Sequence, residues 1–320
     1  MINKAVYVLI SSENDYYSEQ LLLSVYTLKR HNRDISCELI CDNPTLEHLK
    51  SHLPLLLSEI NEVKAVDFPV EIDGLRRSRS LKTSLPDYID GDFIYLDTDT
   101  VILNDITSAD AGVANMAAVE DHHQPSLMTC GYLDWLMSKM NRIGWGDFPL
   151  EMPYYNSGVL VVRNTRPVRA FFSRWHQIWK FTAENDLPAD QPALNYVNNE
   201  YPLIEKLAPE YHCQLLGNGL KYLLRARIVH YFNASKWAIV GEKPIVLMEY
   251  DLMREIRKEG KIPERIKAIL DENRLFPDRV ELVSGNAVPV YRSNIFNVLV
   301  RLQIKYPKLF NCLNKLALRI

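Results

Sequence analysis

The sequence lacks the patterns by which many nucleotide-binding proteins are recognised. Its 12 glycines form neither a G-x-G-x-x-G pattern nor a Walker motif, so any bound nucleotide must be held without a glycine-rich phosphate loop. The chain also lacks an excess of positive charge. Its formal net charge of −3 argues against nucleic acid as the main partner.

Cysteine pairs and long apolar runs are absent as well. The five cysteines are scattered, include no C-x-x-C pair and therefore favour reduced thiols over a zinc or disulfide framework. No apolar stretch reaches the length of a transmembrane helix. The first apolar run, residues 5–10, is too short for the hydrophobic region of a signal peptide. We therefore expect a cytoplasmic protein.

Strands and helices are predicted to alternate over the first hundred residues. Strand-like apolar runs at residues 5–10, 37–41, 63–68 and 93–96 are separated by segments whose apolar residues recur at helical spacing. This order predicts an α/β fold with a doubly wound, mostly parallel sheet. A chain of 320 residues with 47% hydrophobic residues is long enough to bury a large core.

Two carboxylates end the fourth predicted strand. Residues 93–101 read F-I-Y-L-D-T-D-T-V, so Asp97 and Asp99 follow a short apolar run. In open α/β sheets, ligands bind at this edge. Neighbouring carboxylates repel each other unless a cation joins them, and oxygen ligands suit Mg²⁺ or Mn²⁺. The residues alone leave two interpretations open, a metal site and a turn whose aspartates cap the next segment.

Further polar motifs follow this strand along the chain. They are N-S-G-V at 156–159, D-Q-P-A-L-N at 190–195, and a strand that ends on His230 and is followed by Lys236 and Trp237. Together with D-x-D, this order over residues 3–240 resembles the retaining glycosyltransferases of the GT-A fold. The resemblance is to the glycogenin and lipopolysaccharide galactosyltransferase-like enzymes of family 8. The family usually has glycine where Asn233 stands and proline just before Trp237, so the final loop departs from its pattern.

The resemblance implies a metal-dependent enzyme. Asp97, Asp99 and His230 would ligate Mn²⁺ or Mg²⁺, and the metal would bridge the diphosphate of a nucleoside diphosphate sugar. An imidazole ligand favours Mn²⁺. The alternative for His230 is a strand-end histidine satisfied by the backbone. Five other histidines carry no motif and are interpreted as surface or structural residues: His31, His48, His52, His176 and His212.

Donor-binding residues are implied in the same way. Lys236 matches the family's late phosphate-binding lysine, and Arg79 and Lys82 form an R-x-x-K segment that the family places near the donor. The alternative for each of these cations is a solvated surface position. Ser11 and Asp42 stand at the ends of the first two predicted strands, where topology places them to contact the base and the ribose.

The transferred sugar is expected to contact Asp121, Asn156, Asp190 and Gln191. The family places its D-Q pair against the sugar, with Gln191 near the reacting carbon and Asp190 on ring hydroxyls. Because an amide is a poor nucleophile, we favour a front-face retaining transfer, in which the departing phosphate helps to deprotonate the acceptor. The alternatives are a double displacement with Asp190 as nucleophile and a helix-capping role for Asp190.

The C-terminal residues have a different character. Residues 282–320 contain no acid, and their six basic residues are interleaved with apolar ones. A basic amphipathic segment of this kind lies on anionic membrane surfaces, and a helix packed on the catalytic domain is the alternative. We predict a catalytic domain over residues 1–240 and a helical extension over 241–320, with the tail beginning near residue 285. The tail would hold the protein peripherally on the inner face of the membrane.

The predictions combine into one activity. We expect transfer of a hexose from a nucleoside diphosphate sugar, UDP-linked by preference, to a saccharide acceptor of a bacterial surface glycan, such as a lipid-linked one. One alternative is a sugar nucleotidyltransferase, which usually carries an N-terminal phosphate loop that residues 5–20 lack. The other is a sugar-nucleotide-binding protein without catalytic activity.

Overall fold

The computed structural model describes residues 2–215, 218–231, 247–272, 290 and 293–317. Asn233, Lys236 and Trp237 lie outside these described residues. The chain divides into two compact units, Met1–Phe232 with Tyr250–Pro263 and Asn233–Glu249 with Glu264–Ile320. The expected boundary between a catalytic domain and an extension at residue 240 stays a prediction.

A seven-stranded sheet forms the centre of the first unit and confirms the predicted α/β class. In spatial order its strands are β3 (Glu62–Val66), β2 (Ser36–Asp42), β1 (Lys4–Leu9), β4 (Phe93–Leu96), β7 (Val159–Val162), β6 (Met116–Ala118) and β8 (Ile204–Lys206). The first four strands are parallel to one another, as are β6 and β8, while β7 is antiparallel to both its neighbours. The sheet is therefore mostly parallel.

The described residues of the first unit contain eight helices. They are α1 (Tyr17–His31), α2 (Asn43–His52), α3 (Pro54–Glu59), α4 (Gly74–Thr83), α5 (Leu133–Arg142), α6 (Arg166–Glu184), α7 (Asp190–Glu200) and α8 (Tyr250–Glu259). Helix α9 (Glu264–Asp271) belongs to the second unit. Helix α2 begins where the Asp42 side chain accepts a hydrogen bond from the Thr45 N–H, as expected of an N-cap aspartate. Helix α6 buries an aromatic face that includes Phe172, Trp175 and Trp179.

A second, three-stranded sheet positions the site. It consists of β5 (Thr100–Ile102), β10 (Ile228–His230) and β9 (Cys213–Gln214), with β10 in the middle. Strand β5 follows β4 after the D-x-D turn, and in its antiparallel pairing with β10 His230 stands opposite Thr100. The backbone N–H of Tyr231 also donates to the Asp99 carbonyl over 3.0 Å. The small sheet thus brings His230 back to the two aspartates.

The region between residues 124 and 155 has a small core of its own. It contains α5 and an apolar cluster of its own, in which Trp145 is 7% exposed and stacks on Tyr196 with ring centroids 4.1 Å apart. Trp145 is therefore a core residue. Trp135 on α5 is 58% exposed and stays available for contact with a ligand.

The second unit is helical where it is described. Besides α9 it contains α10 (Asn294–Lys305) and α11 (Pro307–Ala317). Helix α10 begins at Ser293, whose hydroxyl accepts a hydrogen bond from the Phe296 N–H over 3.2 Å. Helix α11 buries none of its residues. Throughout the described ranges, every helix is too short or too polar to cross a membrane.

Candidate active site

The D-x-D turn lies between the two sheets. Its first carboxylate follows β4, and the Asp97 N–H donates to the carbonyl of Gly158 over 2.8 Å. The Thr100 hydroxyl donates to the Asp97 carbonyl, also over 2.8 Å, which closes the turn at the start of β5. The aspartates therefore stand on a turn whose two ends are both fixed by strands.

Asp97, Asp99 and His230 come together at this turn. One ligand atom from each lies within 4.8 Å of the others, and among the described residues this is the group that could hold a metal ion. The His230 Nε2 lies 3.0 Å from an Asp99 oxygen and 3.9 Å from an Asp97 oxygen. Burial alone would lower the pKa of His230, but the Asp99 carboxylate raises it above its ordinary value. Two carboxylates and one imidazole are a donor set that suits a divalent cation such as Mn²⁺.

Gly158 of the N-S-G motif passes very close to this group. A Cβ atom at Gly158 would lie 2.5 Å from the His230 Cε1 and 2.8 Å from the Asp97 Oδ2. Only glycine lets the backbone approach the two side chains this closely. The sequence shows the motif, but the reason for its glycine becomes clear only from these distances.

His212 is a site residue that the sequence analysis missed. Its Nε2 lies 2.8 Å from the His230 Nδ1, and the two rings are stacked with centroids 5.0 Å apart. Burial and the neighbouring His230 hold the pKa of His212 well below its ordinary value, so its ring is neutral. Metal-binding histidines usually donate their second ring N–H to such an acceptor, which fixes the ring and its tautomer. No sequence motif marks His212, which was interpreted as a surface or structural residue, and its contact with His230 is visible only in the structure.

Lys82 connects the aspartates to the D-Q motif. The side chain is 1% exposed, and its Nζ lies 3.2 Å from oxygens of Asp97, Asp190 and Ser157. Arg79, one turn earlier on α4, places its Nε 2.9 Å from the other Asp190 oxygen, an ion pair without the angle of a hydrogen bond. The family resemblance implies that both cations lie near the donor, and in the structure they contact carboxylates.

Asp190 is held as an anion by these contacts. Burial alone would raise the pKa of its carboxyl, but Lys82 and Arg79 outweigh burial and hold the pKa well below its usual range. The Ser157 hydroxyl donates to the same carboxylate over 2.7 Å. Helix α7 begins at Asp190 and has Ala189 as its N-cap residue, which makes no side-chain capping bond.

The remaining predicted sugar contacts surround this point. Gln191 accepts a long hydrogen bond of 3.4 Å from the Ser157 N–H. Asn156 donates to one Asp121 oxygen over 2.6 Å, and the Tyr132 hydroxyl donates to the other. Asp121, Asn156, Asp190 and Gln191 are therefore joined through the N-S-G motif. Tyr132 was not predicted, because it comes from the region between residues 124 and 155 and carries no motif.

Ser11 and Asp42 lie near each other at the ends of β1 and β2, as their topology predicts. Thr45 connects them, since its hydroxyl accepts from the Ser11 N–H over 3.0 Å while its own N–H donates to Asp42. The Asp42 carboxylate also forms an ion pair with Arg77. Lys236, the last predicted donor contact, lies outside the described residues.

An α/β fold with a mostly parallel sheet, a D-x-D turn, a histidine beside that turn and a nearby D-Q pair is the architecture of a GT-A glycosyltransferase. The sequence matches the family model described as glycosyl transferase family 8 over residues 8–238. The chain belongs to this family and is a glycosyltransferase. It matches none of the curated proteins with which its sequence was compared.

Solved structures share this fold. The galactosyltransferase LgtC, in complex with donor and acceptor sugar analogues, aligns with a TM-score of 0.50 and 15% identity over 83% of this chain and 99% of its own. An active-site mutant of LgtC gives a TM-score of 0.51 at 15% identity over 82% and 99%. Apo GlyE of Streptococcus pneumoniae TIGR4 gives 0.50 at 18% identity over 85% of this chain and 63% of its own. At these identities the likeness concerns the fold.

Proposed function

We propose that this glycosyltransferase moves a hexose from a nucleoside diphosphate sugar, UDP-linked by preference, to a saccharide acceptor with retention of configuration and with a divalent metal. The observation that carries the proposal is the chain of contacts from Asp97 through Lys82 to Asp190. It joins the turn that we propose to bind metal to the carboxylate that we propose to contact the sugar, through a lysine side chain that is 1% exposed.

The donor diphosphate is assigned to the edge that carries the D-x-D turn. Asp97, Asp99 and His230 would hold Mn²⁺, or Mg²⁺, which when bound supplies Lewis-acid stabilisation of the charge on the departing nucleoside diphosphate. Ser11 and Asp42 are assigned to the nucleoside because they stand at the ends of neighbouring parallel strands. Lys236 is assigned to the phosphates on its motif alone.

The contacts of Asp190 support a front-face transfer. Both of its oxygens are engaged, one by Arg79 and the other by Lys82 and Ser157. A carboxylate held in this way is weakly basic and poorly placed to attack the anomeric carbon, and the Gln191 amide is a poor nucleophile. In a retaining transfer the departing phosphate then accepts the acceptor proton. A glycosylated Asp190 trapped by mass spectrometry would contradict this mechanism.

The tail supports a proposal about the acceptor. Helices α10 and α11 expose apolar residues, among them Ile295, Val298 and Leu309, and the whole segment 282–320 carries basic but no acidic residues. We assign this surface to an anionic membrane on the cytoplasmic side, where a lipid-linked saccharide would be the acceptor. Full-length protein should co-sediment with anionic vesicles, whereas protein truncated near Ser284 should not. Equal co-sedimentation of the two forms would contradict the membrane assignment.

One experiment tests the activity. Release of nucleoside diphosphate from a panel of sugar nucleotides is measured with Mn²⁺ and with a chelator, for wild type, Asp99→Ala and the matched control Asp34→Ala. Asp34 is an exposed carboxylate far from the turn in sequence. We expect the wild type and Asp34→Ala to turn over one donor with Mn²⁺ and to lose this turnover with the chelator. Asp99→Ala should be inactive even with Mn²⁺. Equal turnover with the chelator, or in Asp99→Ala, would contradict the proposed metal site.

A further inference from the structure

Helix α8 lies beyond the residues that match the family model, yet it contacts the first loop of the sheet. Arg257 on α8 forms a two-point ion pair with Glu19 of α1, with Nε to Oε1 at 2.6 Å and Nη2 to Oε2 at 3.0 Å. Its Nη1 donates to the carbonyl of Glu13 over 2.8 Å, and its Nη2 also donates to the carbonyl of Asp15. Its guanidinium lies 4.3 Å from the centre of the Tyr16 ring. The Arg257 side chain therefore contacts two carbonyls and one aromatic ring of the loop, and it is itself anchored to a carboxylate of α1.

The loop between β1 and α1 is organised around Asp15. The Asp15 carboxylate accepts hydrogen bonds from the Ser11 hydroxyl over 2.6 Å and from the Ser12 N–H over 2.9 Å. It also accepts from the Tyr17 N–H over 3.1 Å. Fixing the Asp15 backbone therefore also fixes Ser11, which stands at the end of β1.

The same loop leads into the helix that supports the D-x-D turn. The loop ends where α1 begins, and the Ser24 hydroxyl oxygen of α1 lies 3.0 Å from the Thr100 hydroxyl oxygen, at the end of the turn. The loop that Arg257 holds therefore connects the assigned nucleoside contact Ser11 to a helix that contacts the assigned metal-binding turn.

We infer that Arg257 is a positioning residue, which holds the β1–α1 loop in the conformation that receives the donor nucleotide. The inference rests on the proposed function, because it assigns this loop to the donor. If the loop has its binding conformation in only a fraction of the molecules, the apparent Kd equals the intrinsic Kd divided by that fraction. If removing the contacts leaves about one molecule in ten competent, the Kd for the nucleotide rises about tenfold. Once the nucleotide is bound the loop is in place, so turnover at saturating donor is unaffected.

The test must separate loop positioning from the stability of the buried pair. Glu19 is 1% exposed, so Arg257→Gln alone would leave a buried carboxylate without its partner. The comparison is therefore between Glu19→Gln and the double variant Glu19→Gln, Arg257→Gln. The first keeps an arginine on the two loop carbonyls and the second removes it, while neither leaves a buried charge. Arg254→Gln, on an exposed part of the same helix, is the control for changing an arginine of α8.

Three readouts are taken on the full-length chain. They are the Kd for UDP with Mn²⁺ by calorimetry, kcat and KM for the donor, and hydrogen–deuterium exchange of residues 11–17 without nucleotide. We expect the double variant to show faster loop exchange, an approximately tenfold higher Kd and KM than Glu19→Gln, and a similar kcat. Arg254→Gln should match wild type.

Each contrary result overturns a different claim. Equal loop exchange and equal Kd in the two Glu19 variants would overturn the inference and leave the proposed function intact. Faster exchange with an unchanged Kd would mean that Arg257 stabilises the loop without serving the donor, which also overturns the inference. Absence of UDP binding in the wild type would overturn the donor assignment and the inference with it.

Discussion

Gly158→Ala is the substitution by which the geometry of the site is tested most directly. The added Cβ would lie 2.5 Å from the His230 Cε1, 2.8 Å from the Asp97 Oδ2 and 2.9 Å from the His230 Nδ1. To reach an ordinary contact distance of 3.4 Å, the His230 ring must move by about 0.9 Å. Metal–ligand distances tolerate changes of only about 0.2 Å, so the displacement exceeds what a metal site accepts.

The neighbouring side chains cannot move away freely. His230 is the last residue of the central strand of the small sheet and contacts His212, while Asp97 contacts Lys82 and Tyr95. We therefore expect Gly158→Ala to lower the affinity for Mn²⁺ by about 10- to 100-fold, the range seen when ligand orientation is disturbed. The free energy of unfolding should fall by about 1–3 kcal/mol, as for other overpacked positions.

The assay is a titration of Mn²⁺, followed by calorimetry or by the electron paramagnetic resonance of free Mn²⁺, together with denaturant unfolding. Gly131→Ala is the matched control, because an added Cβ there meets nothing within 4 Å. The control should keep the wild-type metal affinity. If Gly158→Ala bound Mn²⁺ as tightly as Gly131→Ala does, the assigned ligands would not be the metal site.

Three other substitutions test separate parts of the structure. His212→Ala should weaken Mn²⁺ binding by about 10-fold or more, because His230 loses the group that orients it, and His212→Gln should restore part of the affinity in the same titration. Trp145 is buried and Trp135 is exposed, so Trp145→Ala should lower the free energy of unfolding by about 3–5 kcal/mol and Trp135→Ala should change it by less than about 0.5 kcal/mol. Equal effects of the two substitutions in denaturant unfolding would contradict the assignment of Trp145 to the core. Burial, and then Lys180, lower the pKa of His176 from 6.5 to about 4, so its contribution to stability is complete above pH 6.5 and is lost as the pH falls towards 4. Between pH 7.5 and 4.5 the free energy of unfolding should therefore fall less in His176→Gln than in the wild type. If it fell equally in both proteins, protonation of His176 would not be the cause of the loss.

The strands of the large sheet were predictable where they are buried. A strand covered on both faces reads as a continuous apolar run, and β4 matches the prediction of residues 93–96. In the small sheet only β10 was predicted, as the strand that ends on His230. Strands β5 and β9 contain three and two residues, which is too short for a periodic pattern.

The same contrast holds for the site. The D-x-D turn was predicted because a strand that ends on two carboxylates has a physical meaning, and His230 joined it through the order of motifs in the family. The contact of Lys82 with Asp190 could not be read from the sequence, because it joins side chains of two helices that are far apart along the chain. For His212 and Tyr132 no local pattern exists, since their importance comes only from the atoms that they meet in the fold.

The small sheet also makes the metal site sensitive to strand register. Side chains alternate between the two faces of a strand, so a slip of β10 by one residue against β5 would turn His230 to the opposite face. Because the pairing of β10 with β5 brings His230 to the two aspartates, a substitution that disturbs this pairing would separate the three proposed ligands without touching any of them. Affinity for a metal at this site would therefore depend on the small sheet as well as on the ligands themselves.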